Sequence, residues 1–417
     1  MDILELRPLA EQLFARVREL SFDGIGITRE SYGRGESATA QLLQDLAEEH
    51  GLDVTRDRAA NLIFRLAAND PDEPGVWIGS HLDSVPQGGN YDGLAGVVAG
   101  LLCLIEQKRS GRLSANPARV IGLRGEESAW FGKAYMGSGA IFGKLTPEDL
   151  ELKHRSKACT LASCMESAGV DVAAVRAREK LFDPSKAKAY LELHIEQGPI
   201  LIARKLPVAM VPGIRGSVRH SRISCIGEAG HSGAVPRGLR HDAMFAVADL
   251  IMRLDENWRV LNERDFDLVV TTGVVSTDEA EHSISRIPAH VHFSFEARSQ
   301  SSETLNGFYE FMRAECDAIS KDRRVSFKFD RKFVSEPASM DERIGKLISN
   351  ACRQRGTPFD IVPSGAGHDA SQFAHAGIPS GMIFIRNENG SHNPDEAMDI
   401  DDFMLGVQIL ADTVQSI

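Results

Sequence analysis

No stretch of this sequence approaches the roughly 20 consecutive apolar residues that a membrane-spanning helix requires, so no membrane span is expected. The opening residues, Met1-Asp2-Ile3-Leu4-Glu5-Leu6-Arg7, lack the basic cluster and apolar run of a signal peptide. A cytoplasmic protein is therefore expected. Basic charge is short as well: 47 Lys and Arg stand against 59 Asp and Glu, a formal net charge of -12. That balance argues against a nucleic-acid surface, which needs clustered cations to displace counterions from phosphates. It suits a protein that holds cations. No Cys-x-x-Cys pair occurs among the six scattered cysteines, Cys103, Cys159, Cys164, Cys225, Cys316 and Cys352. Zinc-ribbon and dithiol redox chemistry lose their usual spacing, and the thiols are expected to be reduced and buried. Internal repeats and low-complexity tracts are also lacking, which excludes a solenoid.

What is present is an ordinary globular composition, 42% apolar and 25% charged, in 417 residues. A single hydrophobic core usually divides before that length, so two domains or one domain with a large insertion are expected. Short β-rich runs at 61–66, 76–80, 118–123, 189–193 and 380–385 alternate with amphipathic helical stretches at 38–50, 94–108 and 341–355. The alternation predicts an α/β fold, a mostly parallel sheet flanked by helices. Between residues 211 and 329 the order changes to strand 217–226, helix 242–257, strand 268–275, strand 290–297, helix 304–320 and strand 324–329. That is one βαββαβ layer inserted into the larger domain, which would comprise 1–210 and 330–417. Pro212-Gly213 supplies a hinge where the insert begins, and Pro337 lies just past its end.

Chemistry gathers behind four of the strands. Val76 to Ser80 leads into His81-Leu82-Asp83, with Asn90-Tyr91-Asp92-Gly93 a loop later, and Val120 to Leu123 leads into Arg124-Gly125-Glu126-Glu127. Leu191-Glu192-Leu193 leads into His194-Ile195-Glu196-Gln197, and Met382 to Ile385 precedes Asn387 to His392. Open α/β sheets place their functional crevice beyond the carboxyl ends of the strands, so these segments would share one rim. Three imidazoles and several carboxylates are ligands for zinc, manganese or cobalt. A lone histidine after a strand, or a lone pair of acids, is more often solvated surface; the argument rests on four such segments together. Gly96 to Gly100 looks like a helix packed closely on the sheet, holding Asp92 still. His290 and His292 share one face of a strand with no acid beside them and are read as structural, as are His50, His154, His220, His241, His282 and His375.

Taken together, Gly79 to Pro86, Gly89 to Gly93, Glu126-Glu127, His194 to Pro199, Gly230 to Gly233, Ser364 to Ala370 and Ser391-His392 resemble the M20 family of metallopeptidases and amidohydrolases. The branch they resemble holds N-carbamoyl-L-amino acid hydrolases, allantoate amidohydrolases and β-ureidopropionases. The resemblance implies two divalent metal ions per subunit, with His81 and His392 on opposite sides, Asp92 bridging, and Glu127 and His194 completing one ion each. It implies Glu126 as the general base and His231 as a residue reaching the active site of the neighbouring subunit in a homodimer. Arg298 would grip a substrate carboxylate, Gln197 would meet the carbamoyl group, and the backbone at Gly365 and Ala366 would meet the carboxylate, with His368 in the same loop. Asp83 is placed to orient His81 through a hydrogen bond. The insert would then serve as lid and dimerisation domain.

Two departures keep the substrate open. Ser285 stands where the branch usually has asparagine, and Ala234-Val235-Pro236-Arg237 replaces a stretch that generally carries two threonines before the proline and a methionine after it. A serine cannot make an amide's paired contacts, and Arg237 adds positive charge. The expected reaction is hydrolysis of an N-carbamoyl group on an amino acid or related small carboxylate. Hydrolysis of N-acyl amino acids or dipeptides on the same scaffold is the alternative, and a non-catalytic homologue is disfavoured because it would need no base at Glu126.

Overall fold

In the computed structural model the described residues are 3–417. Spatial contacts divide the chain into two compact units, one made of the chain up to Pro212 together with Ser339–Ile417, the other of Gly213–Ala338. The first unit is built on an eight-stranded sheet. From one edge to the other its strands are Leu52–Arg56, Leu62–Leu66, Ala118–Leu123, Gly75–His81, Ala187–Ile195, Ser380–Ile385, Val208–Val211 and Phe359–Ile361. The middle run from Ala118–Leu123 to Ser380–Ile385 is parallel throughout, whereas Leu52–Arg56 and Leu62–Leu66 pair antiparallel and Val208–Val211 runs against Ser380–Ile385. The sheet is thus mixed with a parallel centre. Gly75–His81, Ala118–Leu123 and Ser380–Ile385 are buried at every residue. Layers on both faces make such strands read as continuous apolar runs rather than alternating ones.

The central helix, Leu94–Ser110, is buried at every position from Leu94 to Gln107. It packs on Gly75–His81 and Ala118–Leu123, and Ile400–Ser416 packs on it in turn. Its close approach depends on one residue. A Cβ on Gly96 would lie 2.3 Å from the Leu193 carbonyl oxygen and 2.8 Å from Ser80 Cβ. Only glycine lets the helix sit at this depth, and the loop carrying Asp92 leads straight into it.

The second unit is a six-stranded antiparallel sheet with Gly216–Ile226 and His290–Ser299 at its centre. Ala243–Asn262 and Ser302–Arg323 pack on each other and on this sheet, burying Leu250, Phe293, Phe295, Phe308 and Met312. The outer strands depart from expectation. The run expected at 268–275 is two strands, Val269–Thr271 and Val275–Thr277, because the three residues between them face only Ser294 and Phe295 on the neighbouring strand and loop out of the ladder. There the Ser294 hydroxyl accepts the Val274 amide at 3.0 Å and the Ser294 amide donates to the Val274 carbonyl, also at 3.0 Å. On the other side the strand begins at Ser326 rather than 324, since Arg324 is the left-handed cap (φ 55°) of the preceding helix. Phe333–Ser335 then continues that edge.

All six cysteines are free. Cys103, Cys225, Cys316 and Cys352 are buried, but Cys159 and Cys164 are only half-buried, with sulfurs 3.1 Å apart. The histidines read as structural include His220, which is held by Asp330 Oδ1 (2.8 Å) and the Tyr309 hydroxyl (3.2 Å), and His292, which meets the Ser224 hydroxyl at 2.9 Å. Among the described residues no helix is long and apolar enough to cross a membrane.

Gly96→Ala is expected to destabilise the chain by about 1–3 kcal/mol, the usual cost of overpacking a filled core. Urea denaturation measures it; an unchanged midpoint would show that the helix can move away from Leu193 without cost.

Candidate metal centre

Because the four central strands run the same way, the residues following them emerge at one rim. His81 ends its strand, His194 is the penultimate residue of the next, Glu126 and Glu127 follow Ala118–Leu123, and Ser391-His392 follows Ser380–Ile385. Asp92 comes from the loop before the central helix. Its two oxygens face different ways. Oδ1 lies 3.4 Å from His81 Nε2 and 3.2 Å from His194 Nε2, whereas Oδ2 lies 3.4 Å from His392 Nε2. His392 Nε2 is also 3.2 Å from Glu127 Oε1. The donor atoms of His81, Asp92 and His194, and separately those of Asp92, Glu127 and His392, lie within 4.8 Å of one another. Two imidazole and carboxylate clusters therefore share one carboxylate, and each offers mixed nitrogen and oxygen donors that borderline divalent ions accept.

The electrostatics fit the same role. Burial lowers the affinity of the His81 and His194 rings for a proton, yet the carboxylates around them reverse that and raise both pKa values above the ordinary 6.5. His392, bonded to Asp92 and Glu127, is raised to about 11. Burial pushes Asp92 up, but contacts with three imidazoles hold it well below the ordinary carboxylate value. This is a site with strong affinity for positive charge. Glu126 behaves differently. Burial, opposed by His81 and reinforced by Glu127 and Asp369, raises it well above 4.5, the state suited to carrying a proton.

Asp83 aligns these groups. Its Oδ1 accepts the Glu126 amide at 3.0 Å, its Oδ2 accepts the Glu127 amide at 3.1 Å and the Ser31 hydroxyl at 2.5 Å, and His81 Nδ1 lies 3.4 Å from Oδ1. Behind it Glu36 accepts the Gly125 amide (2.8 Å) and pairs with buried Arg124 at 2.6 Å. Burial outweighs that arginine and leaves Glu36 at about 7. Arg29, wholly buried, donates to the Leu82 carbonyl at 2.7 Å and reaches the Asp92 carbonyl at 3.4 Å.

Other expected residues take varied positions. Gln197 donates from Nε2 to Asp92 Oδ2 at 2.7 Å, while its buried Oε1 has no hydrogen-bond partner among the described residues. His368 does not face solvent. It is buried against His194, ring centroids 4.4 Å apart, with Nε2 2.7 Å from the Ser364 hydroxyl. Glu192, His194 and His368 also lie close enough to hold a cation. However, the Glu192 oxygens are already taken by the Ser80 hydroxyl (2.7 Å) and the Ala370 amide (2.8 Å). Gly365 is exposed and Ala366 half-buried, its amide donating to the Ser364 hydroxyl at 3.2 Å. His231, Ser285 and Arg298 belong to the second unit. There His231 is exposed on a short strand paired with Arg286–Ile287, and Ser285 accepts the Ser232 amide through its carbonyl at 2.8 Å. Arg298 is half-buried and donates to Glu296 at 2.9 Å. Sequence reasoning missed Arg29, Glu36 and Glu396. Arg29 and Glu36 lie far upstream of any motif, and Glu396 follows His392 beside an equally plausible Asp395.

Such a rim, with one acid shared between two ligand clusters and a raised carboxyl beside them, defines a metallohydrolase scaffold. The chain belongs to Peptidase family M20/M25/M40, whose profile matches residues 77–416. It is 35% identical over 409 residues to an N-carbamoyl-L-amino acid amidohydrolase of Geobacillus stearothermophilus, covering 97% of each chain. It is 29% identical over 387 residues to the allantoate amidohydrolase of Escherichia coli, covering 93% of this chain and 92% of that one. A solved hydantoinase/carbamoylase family amidase from Burkholderia multivorans superimposes with a TM-score of 0.86 at 26% identity, over 98% of this chain and 97% of that one.

Asp83→Ala is expected to weaken divalent-metal affinity about 10- to 100-fold, as loss of groups that orient ligands usually does. Competition with a chromogenic chelator reads this directly. Unchanged affinity would mean that strand geometry alone orients His81 and Glu127.

Proposed function

We propose that this chain is a two-metal amidohydrolase that removes the N-carbamoyl group from an amino acid or a related small carboxylate. The observation that carries the reading is the division of Asp92 between two ligand clusters with Glu126 beside them. Divalent ions held by His81, Asp92 and His194 and by Asp92, Glu127 and His392 would acidify a water and stabilise the developing oxyanion. Glu126 takes a proton from that water as it attacks the ureido carbonyl and passes it to the departing nitrogen, so that one C–N bond breaks and an amine and a carbamate leave. Its raised pKa suits a group that must hold the proton between the two steps. Gln197 Oε1, a buried acceptor with no partner, suits the carbamoyl NH2. Arg298 and the amides at Gly365 and Ala366 are assigned the substrate carboxylate.

The names of the relatives favour ureido substrates over dipeptides. A panel of N-carbamoyl amino acids, allantoate, N-acyl amino acids and dipeptides, assayed on zinc-, manganese- and cobalt-loaded protein, tests the assignment. Fastest turnover of dipeptides would overturn it. Elemental analysis is expected to find two divalent ions per chain, with activity lost in chelator. Glu126→Gln should keep both ions and the fold while losing roughly 100- to 10,000-fold in kcat, the range for a general base. A near-normal rate would remove Glu126 from the chemistry.

The proposal extends to a cytoplasmic homodimer in which Gly213–Ala338 serves as lid and dimerisation domain and His231 completes the partner subunit's centre. The exposure of His231 and its position in a unit separate from the ligands support this. Mixing inactive Glu126→Gln chains with inactive His231→Ala chains after dissociation should restore about a quarter of wild-type activity, since about half the dimers are hybrids with one intact site each. Hybrid dimers without activity would refute shared sites.

A further inference from the structure

Asp92 serves both clusters only if its two oxygens stay turned to opposite sides, and a short loop must hold it there. The backbone of that loop is pinned by a residue from the far end of the chain. Glu396 Oε1 accepts the Tyr91 amide at 2.8 Å and the Asp92 amide at 3.3 Å. Its other oxygen, Oε2, accepts the Ser391 hydroxyl at 2.7 Å. The same hydroxyl contacts Asp92 Oδ2, the oxygen that faces His392. One buried carboxylate thus ties the Asp92 loop to the loop that presents His392.

The place for this carboxylate is built in. A Cβ on Gly89 would lie 1.9 Å from Glu396 Cδ, so the side chain lies on bare backbone and no other residue at 89 would leave room for it. Glu396 is 8% exposed, and a carboxylate at that depth is costly unless its oxygens are occupied. Two backbone amides and the Ser391 hydroxyl occupy those oxygens. Glu396 acts on the clusters through Asp92 and Ser391, whose amide and hydroxyl its oxygens hold.

We propose that Glu396 is the positioning residue that, through Ser391, turns Asp92 Oδ2 toward His392. The inference rests on the reading of Asp92 as the shared ligand. It separates the two clusters in a way that the ligand set alone does not. His81 and His194 ride on strands and meet the other oxygen of Asp92, whose carbonyl Arg29 also holds, so their cluster depends less on Glu396. The Asp92, Glu127 and His392 cluster depends on two loops that Glu396 joins, and it should loosen first.

The test is metal titration by chelator competition, with elemental analysis, on wild type and four variants checked for folding by near-ultraviolet circular dichroism. In Glu396→Ala one ion should bind as in wild type and the other about 10- to 100-fold more weakly. Gly89→Ala, which drives the carboxylate off its seat, should reproduce that pattern. Glu396→Gln keeps an oxygen for the two amides and offers an N–H to Ser391 Oγ, so it should bind both ions within about threefold of wild type. If Glu396→Ala does not fold, Ser391→Ala removes only the hydroxyl bridge and should weaken the same single ion. Equal affinity for both ions in wild type, Glu396→Ala and Ser391→Ala would overturn the proposal. So would a Glu396→Gln variant as weak as Glu396→Ala, or both ions weakening together. A wild-type chain holding fewer than two ions would overturn the shared-ligand reading itself, which this comparison with wild type detects separately.

Discussion

The structure turns on the parallel alignment of four neighbouring strands, Ala118–Leu123, Gly75–His81, Ala187–Ile195 and Ser380–Ile385. Parallel pairing requires long crossover connections, and here those connections bring the central helix against the sheet and end every strand at the same rim. A reversed strand in this group would move its ligand to the opposite edge. The antiparallel strands lie outside it, where direction carries no chemical consequence.

A second constraint is charge under the rim. Asp83, Glu36, Arg29, Arg124 and Glu192 are all buried there. Burying a charge is unfavourable without partners, and removing one partner of a buried pair is commonly more damaging than replacing both. The groups are nonetheless well occupied: Asp83 accepts two consecutive backbone amides and a hydroxyl, and Arg124 pairs with Glu36. Their energetic return is orientation. Asp83, Glu36 and Arg29 each hold backbone groups beside a proposed ligand or the proposed base.

Much of this was legible in the sequence, and the residues show why. A buried strand is a continuous apolar run, so the polar residues directly after it stand out, and His81, Glu126, Glu127, His194 and His392 could be collected in that way. Asp92 stood out through its glycines, one of which, Gly96, proves essential to the packing below it. What stayed hidden depended on partners distant along the chain. Nothing near Arg29 reveals that Leu82 and Asp92 will surround it, and the interruption at 272–274, where three residues face two on the neighbouring strand, shows only once the strands are paired. Gln197 and His368 were recognisable as site residues, but which atoms they turn toward Asp92 and His194 follows from tertiary packing alone.

The insertion of Gly213–Ala338 into the larger unit also bears on how the chain is made. Ser380–Ile385 lies between Ala187–Ile195 and Val208–Val211, so the main sheet cannot close until the last part of the chain has been synthesised. The inserted unit is continuous in sequence, so every strand of its sheet has been made once Ala338 has been added. On a ribosome, where folding follows the order of synthesis, the insert can therefore be complete while the sheet that it interrupts still lacks a central strand. His392 leaves the ribosome after the other proposed ligands, so the cluster it belongs to is the later of the two to be completed, with only Ile400–Ser416 still to follow as a helix.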